Sequence, residues 1–119
     1  ERIYYIEDRS YPVKKGSMLF INKNNIHKTV DGGKPGHERI LIYFTDQFLE
    51  RHNERDKDYV LSTFRDPSKL VHFNSQEQSF IENLLFQMVK EYKKGSRKGN
   101  QLYLEALLVQ MLVYAARKM

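Results

Sequence analysis

This chain of 119 residues contains no cysteine. A disulfide framework, a thiolate metal site and a cysteine nucleophile are therefore all excluded. Such a composition fits a reducing cytoplasm, which is the expected location. No Gly-x-Ser-x-Gly elbow is present, so the usual hydrolase serine has no platform. Gly32-Gly33-Lys34-Pro35-Gly36 is rich in glycine. It lacks the Lys-Ser/Thr ending and the following helix of a phosphate-binding loop, and reads as a hairpin loop. No secretory leader is visible, and no apolar run is long enough for a membrane span. The first residue is Glu1 rather than methionine, which leads us to expect a segment of a longer chain. Neither an internal repeat nor a low-complexity tract appears.

What is there suffices for one domain with one core. Apolar residues make up 40% and aromatics 13%, enough bulk to bury. The net charge is +5, and its cations are scattered apart from Lys90, Lys93, Lys94, Arg97 and Lys98. That cluster falls at the predicted end of a helix, where cations complement the helix dipole.

The first half of the chain has the texture of strands. Arg2 to Glu7 is rich in isoleucine and tyrosine. Asp8-Arg9-Ser10 makes a hairpin connection, and Tyr11 to Lys14 returns. Pro12 has no N–H to donate, so its strand belongs at an edge or at a bulge. Met18–Ile21, Ile26–Val30 and Glu38–Phe44 are further strands, separated by turns at Gly16 and at Asn22 to Asn25. Five short strands with this punctuation predict a sandwich or barrel.

After Phe44 the period changes. Thr45 can cap a helix from Asp46 to about Asn53, and Asp58 to Phe64 can form another. Leu70 to Phe73 has the length of one more strand. Ser75 with Gln78 forms a capping box for a long helix over about Gln76 to Lys94, stopped by Gly95. Phe80, Ile81, Leu84, Leu85, Met88, Val89 and Tyr92 give it a wide apolar stripe. Asn100 can cap a last helix from Gln101 to the end. Strands first and helices after predict an α+β arrangement.

Around the first glycine the sequence resembles a known pattern. The second cupin motif runs glycine, five residues, proline, one residue, glycine, two residues, histidine, three residues, asparagine. Gly16 and His27 match it, Asp31 is a near match, and Asn22 and Asn24 replace the proline and second glycine. More narrowly, YPVKKGSMLFINKNNIHKT followed by ERILIYF resembles the sensor domain of AraC/XylS-type transcription regulators. The resemblance runs from about Arg2 through the C-terminal helices. It implies a cupin-like, jelly-roll antiparallel barrel with two long C-terminal helices. The barrel with its short helices would span residues 1–74, and the helical dimerisation segment 75–119. It further implies a cytoplasmic effector sensor, not an enzyme, with no cofactor. The regulator's helix-turn-helix pair would lie beyond Met119, so this segment is not expected to bind operator DNA alone. The family's earliest strands, ahead of Glu1-Arg2, are also absent, so the barrel is expected to be incomplete.

By position, the resemblance carries the ligand-facing role to Thr29, Arg39 and Leu41, with His27 and Tyr43 as neighbours and Tyr5 as a further contact. Strand alternation agrees that Arg39, Leu41 and Tyr43 share one face. A cation, an aliphatic and a phenol suit a small polar ligand such as a sugar. A filled barrel with Arg39 reaching the rim is the other reading of the same residues. His27 stands where metal-binding cupins have a ligand, but the motif supplying the remaining ligands is missing, so no metal is expected. A small cupin isomerase or dioxygenase and a pure oligomerisation module are the alternatives.

The last helix is nearly apolar all round, with Glu105 and Gln110 as its strongly polar residues between Leu102 and Ala116. One packing partner cannot cover such a helix. A second chain or a further domain would have to cover the rest. In the family that the sequence resembles, the helices after the barrel form the dimer interface. The resemblance therefore implies a homodimer with Leu104, Leu108, Met111 and Ala115 near the axis. Leu102, Ala106, Val109 and Val113 would then serve the chain's own core.

Overall fold

The computed structural model describes residues 2–22, 27–31, 40–95 and 97–119, with the backbone alone for Arg2 and for residues 27–31. Five strands and four helices follow one another in the order β1 (Arg2–Ile6), β2 (Arg9–Val13), β3 (Ser17–Leu19), β4 (His27–Asp31), α1 (Glu54–Val60), α2 (Ser62–Arg65), β5 (Leu70–His72), α3 (Ser75–Lys93) and α4 (Asn100–Lys118). A 3-10 turn at Asp46–Leu49 precedes α1.

The strands form two separate antiparallel sheets, one ordered β2-β1-β4 and one pairing β3 with β5. This corrects the expected cupin-like barrel. Closure needs a continuous staggered ladder, and among the described residues only β1 has a neighbour on each side. The predicted strand Glu38–Phe44 is the missing stave. Residues 40–45 form neither strand nor helix, and Glu38 and Arg39 lie outside the described residues. Its supposed core face does not form either, since Ile40 and Ile42 are exposed and only Phe44 packs inward.

Local chemistry accounts for the sheets that do form. Ile6 pairs with Arg9 across a two-residue loop, and Glu7 takes a positive φ of 55° to close it. Pro12 pairs with Ile3 on an edge strand, where a missing N–H costs no ladder bond. Tyr4, Ile6 and Tyr11 form a small core with Val13, Leu19, Ile21 and Leu70 against them. Tyr11 Oη donates to Pro67 O at 2.8 Å, which ties the hairpin to the loop before β5.

Gly16 joins the second sheet to α3. Its φ is +89°, and a Cβ there would meet Gln78 Nε2 at 2.5 Å and Phe73 O at 2.9 Å. The close approach lets Phe73 N–H donate to Gly16 O at 2.8 Å. A side chain would block that contact.

The main core lies between the helices. Phe20, Leu49, Val60, Val71 and Phe73 meet Ile81 and Leu84 of α3 and Leu107, Leu108, Met111, Leu112 and Ala115 of α4. Phe64 of α2 receives Phe20 and Phe44 edge-on, with ring centroids 5.1 and 5.8 Å apart. Such pairs add about 0.5–1.5 kcal/mol each beyond burial. One core thus takes residues from both sides of residue 74.

α3 starts one position earlier than predicted. Asn74 Oδ1 accepts from Glu77 N–H at 2.9 Å, and Glu77 Oε1 accepts from Asn74 N–H at 2.8 Å. This reciprocal box displaces the Ser75–Gln78 alternative and frees Gln78 Nε2 to donate to Phe73 O at 2.9 Å. α3 and α4 are fastened at both ends. Lys118 Nζ lies 2.9 Å from Glu77 Oε1. At the other end, Asn100 Nδ2 donates to Glu91 O at 2.6 Å and to Glu91 Oε2 at 3.1 Å. Gly99 (φ +77°), rather than Asn100, therefore caps α4. No helix among the described residues is long and apolar enough to cross a membrane.

Candidate functional site

α4 presents two apolar faces, and the chain's own core draws on both of them. Leu108 (4% exposed), Met111 and Ala115 are buried in the chain's own core. Leu104 is half-buried beside them. Leu108, Met111 and Ala115, expected with Leu104 near a dimer axis, thus pack in the chain's own core. On the other stripe Leu102 (58% exposed) and Ala106 are exposed, while Val109 and Val113 are half-buried and pack against the main core. Its spacing of four, three and four residues is that of a helix seam. The reason is the position of α1. It packs on α4 and, being seven residues long, leaves Leu102 and Ala106 exposed while Val109 and Val113 are half-buried.

Between α1 and the seam lies a groove of about 440 Å³, lined by His52, Arg55, Asp56, Tyr59, Val60, Val109 and Val113. Val109 and Val113 form its apolar side, Tyr59 a half-exposed ring, and His52, Arg55 and Asp56 its polar groups. Asn53 places these residues by capping α1, its Oδ1 accepting from Asp56 N–H at 2.8 Å. The successive residues Arg55, Asp56, Tyr59 and Val60 then face α4 at helical spacing.

Buried next to this groove, Glu105 Oε1 sits 3.5 Å from His52 Nε2. The two groups face each other without forming a hydrogen bond. Nε2 itself is buried without a hydrogen-bond partner among the described residues. The pair was partly legible. A lone carboxylate in an otherwise apolar helix needs a partner when buried, and His52 supplies it from the loop before α1. The rest of the groove is a product of tertiary packing, and no periodicity announced it.

Of the residues expected to face a ligand, the side chains described are those of Tyr5, Leu41 and Tyr43. Thr29 and His27 lie on β4, their backbones opposite Tyr4 and Ile6. Arg39 lies outside the described residues. Leu41 and Tyr43 (87% exposed) belong to the unpaired stretch before the 3-10 turn. Tyr5 is exposed on β1, on the opposite face from buried Tyr4 and Ile6. Among the described residues, no three His, Asp or Glu side chains are placed to hold a metal ion.

Two carboxylates elsewhere are held below their ordinary range. The Lys118 side chain and the Asn74 N–H both donate to Glu77 and favour its charged form. Asp66 is lowered by the backbone N–H and then the hydroxyl of Ser68. Both groups fix chain ends and turns rather than the groove.

Comparison with known proteins gives no match, whether to a family model, to a curated protein or to a solved structure.

Proposed function

We propose that this chain is the assembly and effector-sensing segment of a transcription regulator resembling the AraC/XylS type, and that two copies pair through the outer face of α4. The observation that carries this reading is the apolar stripe Leu102–Ala106–Val109–Val113, exposed at Leu102 and Ala106 and half-buried at Val109 and Val113, on an α4 whose other face is already buried. Contiguous exposed apolar surface of this kind marks interaction sites. A stripe that faces itself across a two-fold axis is self-complementary. The regulator assignment is supported by the residue pattern from Gly16 to Asp31 and has no barrel in it.

The groove between α1 and α4 is the place we assign to a small polar effector such as a sugar. There Tyr59 offers a ring for stacking, and His52, Arg55 and Asp56 offer polar contacts. Val109 and Val113 belong to both the groove and the seam, so ligand and pairing meet at the same residues.

Sedimentation of the wild type and of Val113→Glu tests the pairing. A wild-type dimer and a folded monomeric variant support it. A wild type that stays monomeric at high concentration refutes it. For the groove, a thermal-shift screen of sugars and small acids is compared between wild type and Tyr59→Ala. Stabilisation by a ligand that Tyr59→Ala abolishes is the expected result. Equal stabilisation of both would place the ligand elsewhere.

A further inference from the structure

The turn between α3 and α4 carries a separate surface. Lys90, Lys93, Lys94, Arg97 and Lys98 fall within nine residues, and all five are exposed. Glu91 is the one acid between residues 86 and 103. Its side chain is turned inward, where Asn100 Nδ2 donates to Oε2 at 3.1 Å. Five cations against one sequestered carboxylate leave most of the chain's net charge of +5 at this one corner. Lys90 and Lys93 match the dipole of the last turn of α3. Arg97 and Lys98 lie beyond the helix end, where that explanation no longer reaches.

Aromatic rings are interleaved with these charges. Phe86 is 63% exposed, one turn before Lys90, whose Nζ stands 5.5 Å from the ring centroid. Tyr103 lies on α4, and its Oη donates to Gln87 Oε1 at 3.2 Å, which fixes the ring. With Lys94, Arg97, Lys98 and Gly99 it lines a hollow of about 310 Å³, with Glu91 as its carboxylate neighbour.

We propose that this corner is a docking surface for single-stranded nucleic acid. The cations face a phosphate backbone, and the exposed rings of Phe86 and Tyr103 provide platforms for unpaired bases. Charge alone would suit any polyanion. Rings set among the charges add what bases require and a duplex cannot use, because duplex bases are already stacked. No residue of this surface belongs to the α4 seam, so the inference stands apart from the pairing proposed above.

Fluorescence anisotropy with labelled oligothymidine and oligouridine tests it, alongside a duplex of equal length and phosphatidylserine vesicles. Single strands should bind at low salt. Five phosphate contacts should give a slope of log affinity against log salt of roughly −3 to −4. Phe86→Ala should weaken single-strand binding by about 5- to 100-fold, the loss of one stacking platform, and leave duplex binding unchanged. The double variant Arg97→Glu/Lys98→Glu should lose binding to every probe while keeping the wild-type circular dichroism. Any of three results would overturn the proposal. These are no binding of single strands at low salt, duplex or vesicles bound as tightly as single strands, and binding that both variants leave intact.

Discussion

Replacing Leu108 by alanine separates the two faces of α4 by energy. Leu108 is 4% exposed and packs within the helical core. Truncation removes its buried methyl groups and leaves a cavity, because close-packed neighbours relax only in part. Core Leu→Ala changes cost about 2–5 kcal/mol. In a domain of this size each kcal/mol lowers Tm by roughly 3–6 °C. The expected loss is therefore on the order of 10 °C or more. Leu102, on the outer stripe, is 58% exposed. Leu102→Ala should stay within about 0.5 kcal/mol of wild type. The comparison is made by thermal and urea unfolding at low protein concentration, so that any pairing contributes little to Tm. A tolerated Leu108→Ala beside a strongly destabilising Leu102→Ala would show that the faces are assigned the wrong way round.

Gly16→Ala should destabilise by roughly 1–3 kcal/mol, because its positive φ and the nearby Gln78 and Phe73 O leave no room for a Cβ; a neutral effect in urea unfolding would refute the close approach of this turn to α3. Asn100→Ala should cost about 1–3 kcal/mol by leaving the buried Glu91 carboxylate without its donor, read out by the same unfolding curves. Glu77 has a lowered pKa in the folded chain. Its stabilising effect is complete above the ordinary value of 4.5 and is lost as pH falls through the lower folded value. Glu77→Gln should therefore flatten part of the acid limb of a Tm-against-pH curve, and an unchanged limb would refute the contact with Lys118.

Local signals in the sequence carried the two long helices well. The helix expected from Asp46 to about Asn53 is instead a 3-10 turn over Asp46–Leu49. The one expected over Asp58–Phe64 is split between Glu54–Val60 and Ser62–Arg65. The stripe from Phe80 to Tyr92, the stop at Gly95 and the apolar run from Leu102 onward located α3 and α4 to within a residue or so. Period and cap chemistry act over a few residues, and α3 and α4 obey both. Pro12 likewise announced its edge strand. The barrel was misread because the β-rich run Glu38–Phe44 has strand composition, but residues 40–44 find no strand to pair with. Strand propensity is a preference for a half-buried pleated surface, and only a partner can supply that surface. The burial of Leu108, Met111 and Ala115 within the chain was not legible for a similar reason. Both stripes are apolar at helical spacing, and nothing in α4 itself says which one meets α3. The α1–α4 groove has no local signature at all, apart from the lone Glu105 in an apolar helix.

The pairing of two copies along α4 can be tested most directly because the chain has no cysteine. Any introduced thiol is unique. Ala106→Cys and Val109→Cys flank the middle of the outer seam, while Glu82→Cys sits exposed on α3. Under mild oxidation at a fixed concentration, non-reducing electrophoresis should show a disulfide-linked dimer for Ala106→Cys, for Val109→Cys or for both, and little for Glu82→Cys. If neither seam variant cross-links above the Glu82→Cys level, the outer face of α4 is not where two copies meet.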